Sequence, residues 1–121
     1  MHYIGIDIIE IARIEQAIAR WGESFLRRVY TDLELRQYRK KPSSLAARFA
    51  SKEAVMKLLG TGRKGISWRE IETLSHPSGK PRLNLYGRAQ IKAKSLGLKG
   101  VAISISHSRE YAIALVAGET D

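Results

Sequence analysis

The chain has 121 residues, 44% of them hydrophobic and 27% charged, and a net charge of +9. That is enough for one domain with a modest core, and no apolar run approaches the roughly 18 residues of a membrane span. Without cysteine there is no disulfide frame and no thiolate metal site.

The opening residues lack a basic leader and carry Asp7 and Glu10 among apolar neighbours, which excludes a signal peptide. An intracellular protein is the expectation. From Thr73 to Arg109 there are seven cations and no acid. Such a surface attracts polyanions: nucleic acid, a polyphosphate cofactor or an acidic protein.

Tyr3 to Ile8 has strand composition, with Ile4, Ile6 and Ile8 on one face and Tyr3, Gly5 and Asp7 on the other. With the isoleucines in the core, Gly5 leaves open space beside Asp7. Asp is depleted in strand interiors, so Asp7 either caps a helix running on from Ile8 or binds a metal. That helix puts Ile11, Ile14 and Ile18 on a core stripe and Arg13, Ala17 and Arg20 on another. It stops near Trp21-Gly22.

A short segment follows from Ser24, and Thr31-Asp-Leu-Glu34 is a capping box opening another helix. Lys40 to Ser44 breaks it, and Ser43 or Ser44 caps a long helix ending at Gly60-Thr-Gly62. The first half thus holds four helical segments. Ile66 to Leu74 reads as an imperfect strand, His76 to Pro81 as a turn and Arg82 to Tyr86 as its hairpin partner. Arg88 to Leu96 is a basic amphipathic helix closed by Gly97. Val101 to Ser106 and Tyr111 to Ala117 are strands joined at His107-Ser-Arg-Glu110. The order implies an α+β fold, in a single domain spanning 1–121.

Glu53 is the only acid between Leu35 and Arg69, and it lies among many cations. At 100° per residue it sits about 40° from Phe49, on the edge of the apolar stripe. It forms either a surface i,i+4 pair with Lys57 or part of a site. Magnesium is often held by one or two carboxylates, with waters and substrate phosphates completing the shell. Asp7 with Glu53 suits that chemistry. Arg48, Lys52, Lys57 and Lys80 would balance a pyrophosphate, and Gly60-Thr-Gly62 would allow close backbone approach. His107, between Ser106 and Ser108 at a strand end, suits a phosphate contact. No dinucleotide, P-loop or zinc pattern is present.

Several motifs together carry a family resemblance. They are Gly5-Ile-Asp7-Ile-Ile-Glu, Arg48-Phe-Ala-Ser-Lys-Glu-Ala54 with Lys57 and Gly60-Thr-Gly62, Trp68-Arg-Glu-Ile-Glu72, Gly79-Lys-Pro81 and Ser104-Ile-Ser-His-Ser108. In this order the chain resembles the holo-acyl-carrier-protein synthases, the short bacterial branch of the 4'-phosphopantetheinyl transferase family. The connection from Tyr38 to Ser44 is short for that family. The resemblance implies helices packed on a small, mainly antiparallel sheet. It also implies transfer of 4'-phosphopantetheine from coenzyme A to a serine of apo acyl carrier protein, releasing adenosine 3',5'-bisphosphate and serving fatty-acid synthesis.

By the same resemblance, Asp7 and Glu53 are magnesium ligands. Arg48, Lys57, Gly60, Lys80, Pro81 and His107 contact coenzyme A, with Lys57 and His107 nearest the phosphates. Glu53, directly or through a water, is the expected base, with His107 the second candidate. Arg13, Arg20, Arg27 and Arg28 resemble the face that docks the acidic carrier protein. Homotrimers with sites at subunit boundaries and a cytoplasmic location complete the expectation. A small ribosomal-type nucleic-acid-binding protein is the alternative; its weakness is that stacking aromatics are few and unclustered.

Overall fold

The helix α4, Pro42–Leu59, is buried on nearly every side, and the other elements are arranged around it. A computed structural model describes residues 2–121. In chain order the remaining elements are β1 (His2–Glu10), α1 (Ile11–Trp21), α2 (Glu23–Val29), α3 (Asp32–Tyr38), β2 (Ile71–Ser75), β3 (Pro81–Leu85), α5 (Gly87–Ser95), β4 (Val101–His107) and β5 (Tyr111–Glu119). Four helices precede β2, as the sequence implies, and the α+β class holds. The strands form an antiparallel three-stranded sheet in the order β1-β5-β4 and a separate β2-β3 hairpin.

One face of the three-stranded sheet packs on α4, and the choice of face reverses the sequence expectation. Ile4, Ile6 and Ile8 are exposed, Ile4 by 67%, whereas Gly5 and Ile9 are buried and Tyr3 packs against the core. Gly5 explains the choice. A Cβ at that position would overlap the carbonyl oxygen of Ala54 and stand 2.9 Å from Leu58 N. The absence of a side chain lets β1 press directly onto the backbone of α4. The space that Gly5 leaves is filled by the backbone of that helix, while Asp7 keeps an open side.

β1 also runs on to Glu10, where a helix was expected from Ile8. The N-cap of α1 is Glu10, and no side chain caps it. Asp7 is therefore a mid-strand residue and not a helix cap. Ile11 and Ile14 are buried as expected, with Ile18 packed beside them.

Two further boundaries differ. Ser43 and Ser44 lie inside the first turn of α4, because Pro42 takes the first helical position and Lys41 the cap. The strand expected from Ile66 begins only at Ile71. Trp68–Glu70 is instead a single 3-10 turn, closed by a reciprocal capping box between Ser67 and Glu70. β2 is buried from Ile71 to Leu74, so it shows no in-out alternation. The Thr31 capping box forms as expected: the Thr31 side chain accepts from Glu34 N, and Glu34 accepts from Thr31 N. Gly60 ends α4 in the left-handed conformation, at φ 75°.

Candidate active site

Asp7 projects from β1 toward α4, on the face opposite the exposed isoleucines. Two turns of that helix carry Glu53 and Lys57, which at i and i+4 share a side. Lys57 Nζ lies 3.0 Å from Asp7 Oδ1 and 3.0 Å from the Ile6 carbonyl, donating to both. It is thus Asp7, and not Glu53, that Lys57 pairs with. The i,i+4 surface pair does not form. Among the described residues, no ion pair or hydrogen bond satisfies the Glu53 carboxylate.

Asp7 and Glu53 border one cleft of about 390 Å³, together with Arg13, Phe25, Phe49 and Arg63. Partial burial pushes the Glu53 carboxyl above its ordinary value, and the Asp7 charge pushes it further; Arg63 and Lys57 pull it back. Two carboxylates facing one space, only Asp7 of them ion-paired, are a fit for a divalent cation. Among the described residues no three acidic or histidine groups cluster for a metal. Two protein ligands suit magnesium, which keeps waters and takes phosphate oxygens, better than ions that need an all-protein cage.

The other expected site residues fall into separate places. Arg48 is buried on the opposite flank of α4. Its guanidinium lies over the Tyr38 ring at 3.9 Å and donates to the Thr73 carbonyl, to Tyr38 Oη at 2.8 Å and to Ser75 Oγ. Ser75 pairs with Pro81 across the hairpin, so Arg48, Pro81 and the exposed Lys80 form a second group at the hairpin end. Gly60 lies one turn beyond Lys57.

His107 ends β4, exposed, opposite Ala112, which is itself opposite Ile9. It shares the sheet face of Asp7 but lies two strands away, roughly 10 Å across at normal strand spacing. Arg13, Arg20, Arg27 and Arg28 are all exposed on α1 and α2. Arg20 stacks over Trp21, and Arg27 pairs with Glu23 at 3.4 Å. Arg13 does more than expected, since it also borders the carboxylate cleft.

Sequence reasoning grouped Lys52 with the phosphate-balancing cations, and the structure corrects this. Lys52 has no exposed surface and donates to Glu34 at 2.8 Å. Arg63 was passed over as one of many cations in a glycine-rich turn. It borders the cleft and lies over the Trp68 ring at 5.6 Å, and Trp68 stacks on Phe49. Its only sequence signal was its place just after Gly62. A larger groove of about 560 Å³ runs between β3 and α5. It has no acid in its lining, unlike the smaller cleft.

Comparison with known proteins shows the family. Residues 3–116 match the 4'-phosphopantetheinyl transferase superfamily. A holo-[acyl-carrier-protein] synthase of Dehalococcoides mccartyi is 56% identical over 119 residues, covering 98% of this chain and 99% of the relative. The one from Herpetosiphon aurantiacus is 50% identical, covering 94% and 95%. Among solved structures, Helicobacter pylori holo-[acyl-carrier-protein] synthase in complex with coenzyme A aligns with a TM-score of 0.86. It is 36% identical and covers 96% of this chain and 99% of its own. The chain belongs to the 4'-phosphopantetheinyl transferase superfamily, in its holo-[acyl-carrier-protein] synthase branch, and is an enzyme.

Proposed function

We propose that the protein transfers 4'-phosphopantetheine from coenzyme A to a serine of an acidic apo acyl carrier protein, in a magnesium-dependent reaction that serves fatty-acid synthesis. The observation that carries this reading is the pair of carboxylates, Asp7 and Glu53, bordering one cleft with Lys57 and Arg63 beside them. The Helicobacter pylori relative is a coenzyme A complex, which supplies the same ligand class. Family membership removes the reason for the nucleic-acid alternative.

In this reading Asp7 and Glu53 hold the ion. When bound, magnesium neutralises charge on the diphosphate of coenzyme A. Lys57 and Arg63 add positive charge where the leaving group collects its electrons. The serine oxygen bonds to the phosphorus that carries pantetheine, and the bond from that phosphorus to the bridging oxygen breaks. Adenosine 3',5'-bisphosphate leaves with the electron pair. The serine proton goes to Glu53, directly or through a water.

Arg48, Lys80, Pro81 and Gly60 form the coenzyme A contacts, and the arginines of α1 and α2 dock the carrier protein. His107, two strands from Asp7 within one chain, stays the second candidate base. A homotrimer would bring sites to subunit boundaries. The exposed face of Ile4, Ile6, Ile8 and Leu115 is an apolar patch of the kind that a second copy covers. Both substrates belong to the cytoplasm, and among the described residues no helix is long and apolar enough to cross a membrane.

The decisive experiment is intact-mass analysis of an apo carrier protein incubated with this protein, coenzyme A and magnesium. A gain of one phosphopantetheine, absent without magnesium and lost in Asp7→Ala and Glu53→Ala, is the expected result. An unchanged mass with the wild-type enzyme would overturn the reading.

A further inference from the structure

Lys52 precedes Glu53 in the chain and points the other way. Its ammonium has three protons to donate, and all three are used: on Glu34 Oε1 at 2.8 Å, on the Trp68 carbonyl at 3.1 Å and on the Ile71 carbonyl. Glu34, also without exposed surface, is equally occupied. Besides Lys52 it accepts from Thr31 N at 2.9 Å and from Thr73 N at 2.8 Å. One buried ion pair therefore joins α3, α4 and the first half of β2.

Stability alone does not account for this pair. Removing two charges from water is costly, and well-packed apolar residues of similar volume often do as well or better. What the pair supplies is direction. Consecutive helical residues point about 100° apart, so clamping Lys52 against α3 and β2 sets the rotation at which Glu53 emerges beside Asp7. The same clamp holds Ile71 and Thr73, and through them the hairpin that carries Lys80 and Pro81. Both groups of site residues are referenced to one buried bond.

We propose that Lys52 and Glu34 form a positioning pair that aims Glu53 into the cleft and sets the hairpin's place relative to it. The inference rests on Glu53 being a site carboxylate, as read above.

The test uses Mn2+ as the probe, titrated into the intact protein and followed by electron paramagnetic resonance, beside steady-state kinetics. Lys52→Met alone would strand a buried carboxylate, so the informative variant is Lys52→Met/Glu34→Gln, which removes both charges together. We expect it to fold, by circular dichroism, while Mn2+ affinity and kcat each fall about 10- to 100-fold, the usual range for groups that orient a metal ligand. KM for the carrier protein should hold. Glu34→Gln alone keeps the shape but strands the Lys52 ammonium in turn, so it is read where circular dichroism shows it folded; it should then move the same way, by about tenfold, and it decides if the double variant does not fold. Native Mn2+ affinity and kcat in either folded variant would reduce the pair to a structural role. Asp7→Ala and Glu53→Ala run in parallel: if they keep Mn2+ binding, the reading of the site itself fails. If they lose it and the folded charge-free variant does not, only the positioning inference fails.

Discussion

Lys57 reaches from α4 to β1 and rests its ammonium 3.0 Å from Asp7 Oδ1, leaving Glu53, one turn earlier, without a cation of its own. Lys57 thus neutralises one of the two carboxylates that border the cleft. Lys57→Met should free Asp7 and tighten Mn2+ binding in the absence of coenzyme A. The gain should not exceed about fivefold, since a half-exposed pair is worth at most roughly 1 kcal/mol. KM for coenzyme A should rise in the same variant. Weaker Mn2+ binding in Lys57→Met would mean the lysine supports the ion site and does not compete with it.

Gly5→Ala should be among the most damaging single changes in the chain. The added methyl would overlap the Ala54 carbonyl, and backbone cannot step aside as a flexible side chain can. Overpacking of this kind costs about 1–3 kcal/mol or more. A thermal or urea melt reads it directly, and a native midpoint would show that β1 and α4 can separate locally without loss.

The folded state raises the proton affinity of Glu53 above the ordinary 4.5, first through burial and then through Asp7. A carboxyl raised in this way favours folding fully below the unfolded value, and that contribution is lost as pH climbs through the raised value. Metal-free Glu53→Gln should therefore melt higher than the wild type at neutral pH. The difference should vanish as pH falls below about 4.5. Equal melting temperatures at neutral pH would count against a strained carboxylate.

The docking arginines should separate into two kinds. Arg20, exposed on the outer face of α1, should affect only the carrier protein. Arg20→Glu is expected to raise its KM about tenfold, by like-charge repulsion, with KM for coenzyme A unchanged. Arg13 borders the carboxylate cleft, so Arg13→Glu should weaken coenzyme A and Mn2+ as well. Identical profiles for the two variants would remove the distinction.

Leu115 stands at the middle of the open sheet face, opposite Ile6 on β1 and Ser104 on β4. If copies pack through this face, as proposed above, Leu115→Asp should give monomers in light scattering without unfolding the chain. Persistence of the wild-type mass would place the subunit contact elsewhere.

Much of this was legible in residues whose signals are local. The Thr31–Glu34 capping box and the Gly60 terminus of α4 both follow from short-range chemistry. The inward face of β1 did not, because alternation marks two faces without saying which is buried. The larger apolar side chains argued for the wrong one. Gly5 held the answer, but only once α4 was known to lie against it. Lys52 was equally opaque: its partner Glu34 is 18 residues earlier, and its capping role already seemed to explain that glutamate. Ser43 and Ser44 failed as caps because Pro42, the better first helical residue, came just before them.

A helix walled in on nearly every side has a mechanical consequence. α4 cannot pivot or slide when substrates arrive, so any adjustment during turnover falls to parts that solvent already surrounds. Those are the hairpin tip from His76 to Lys80 and the long side chains of Lys57 and Lys80. Amide exchange along α4 should stay slow throughout the cycle while the tip alone changes its pace.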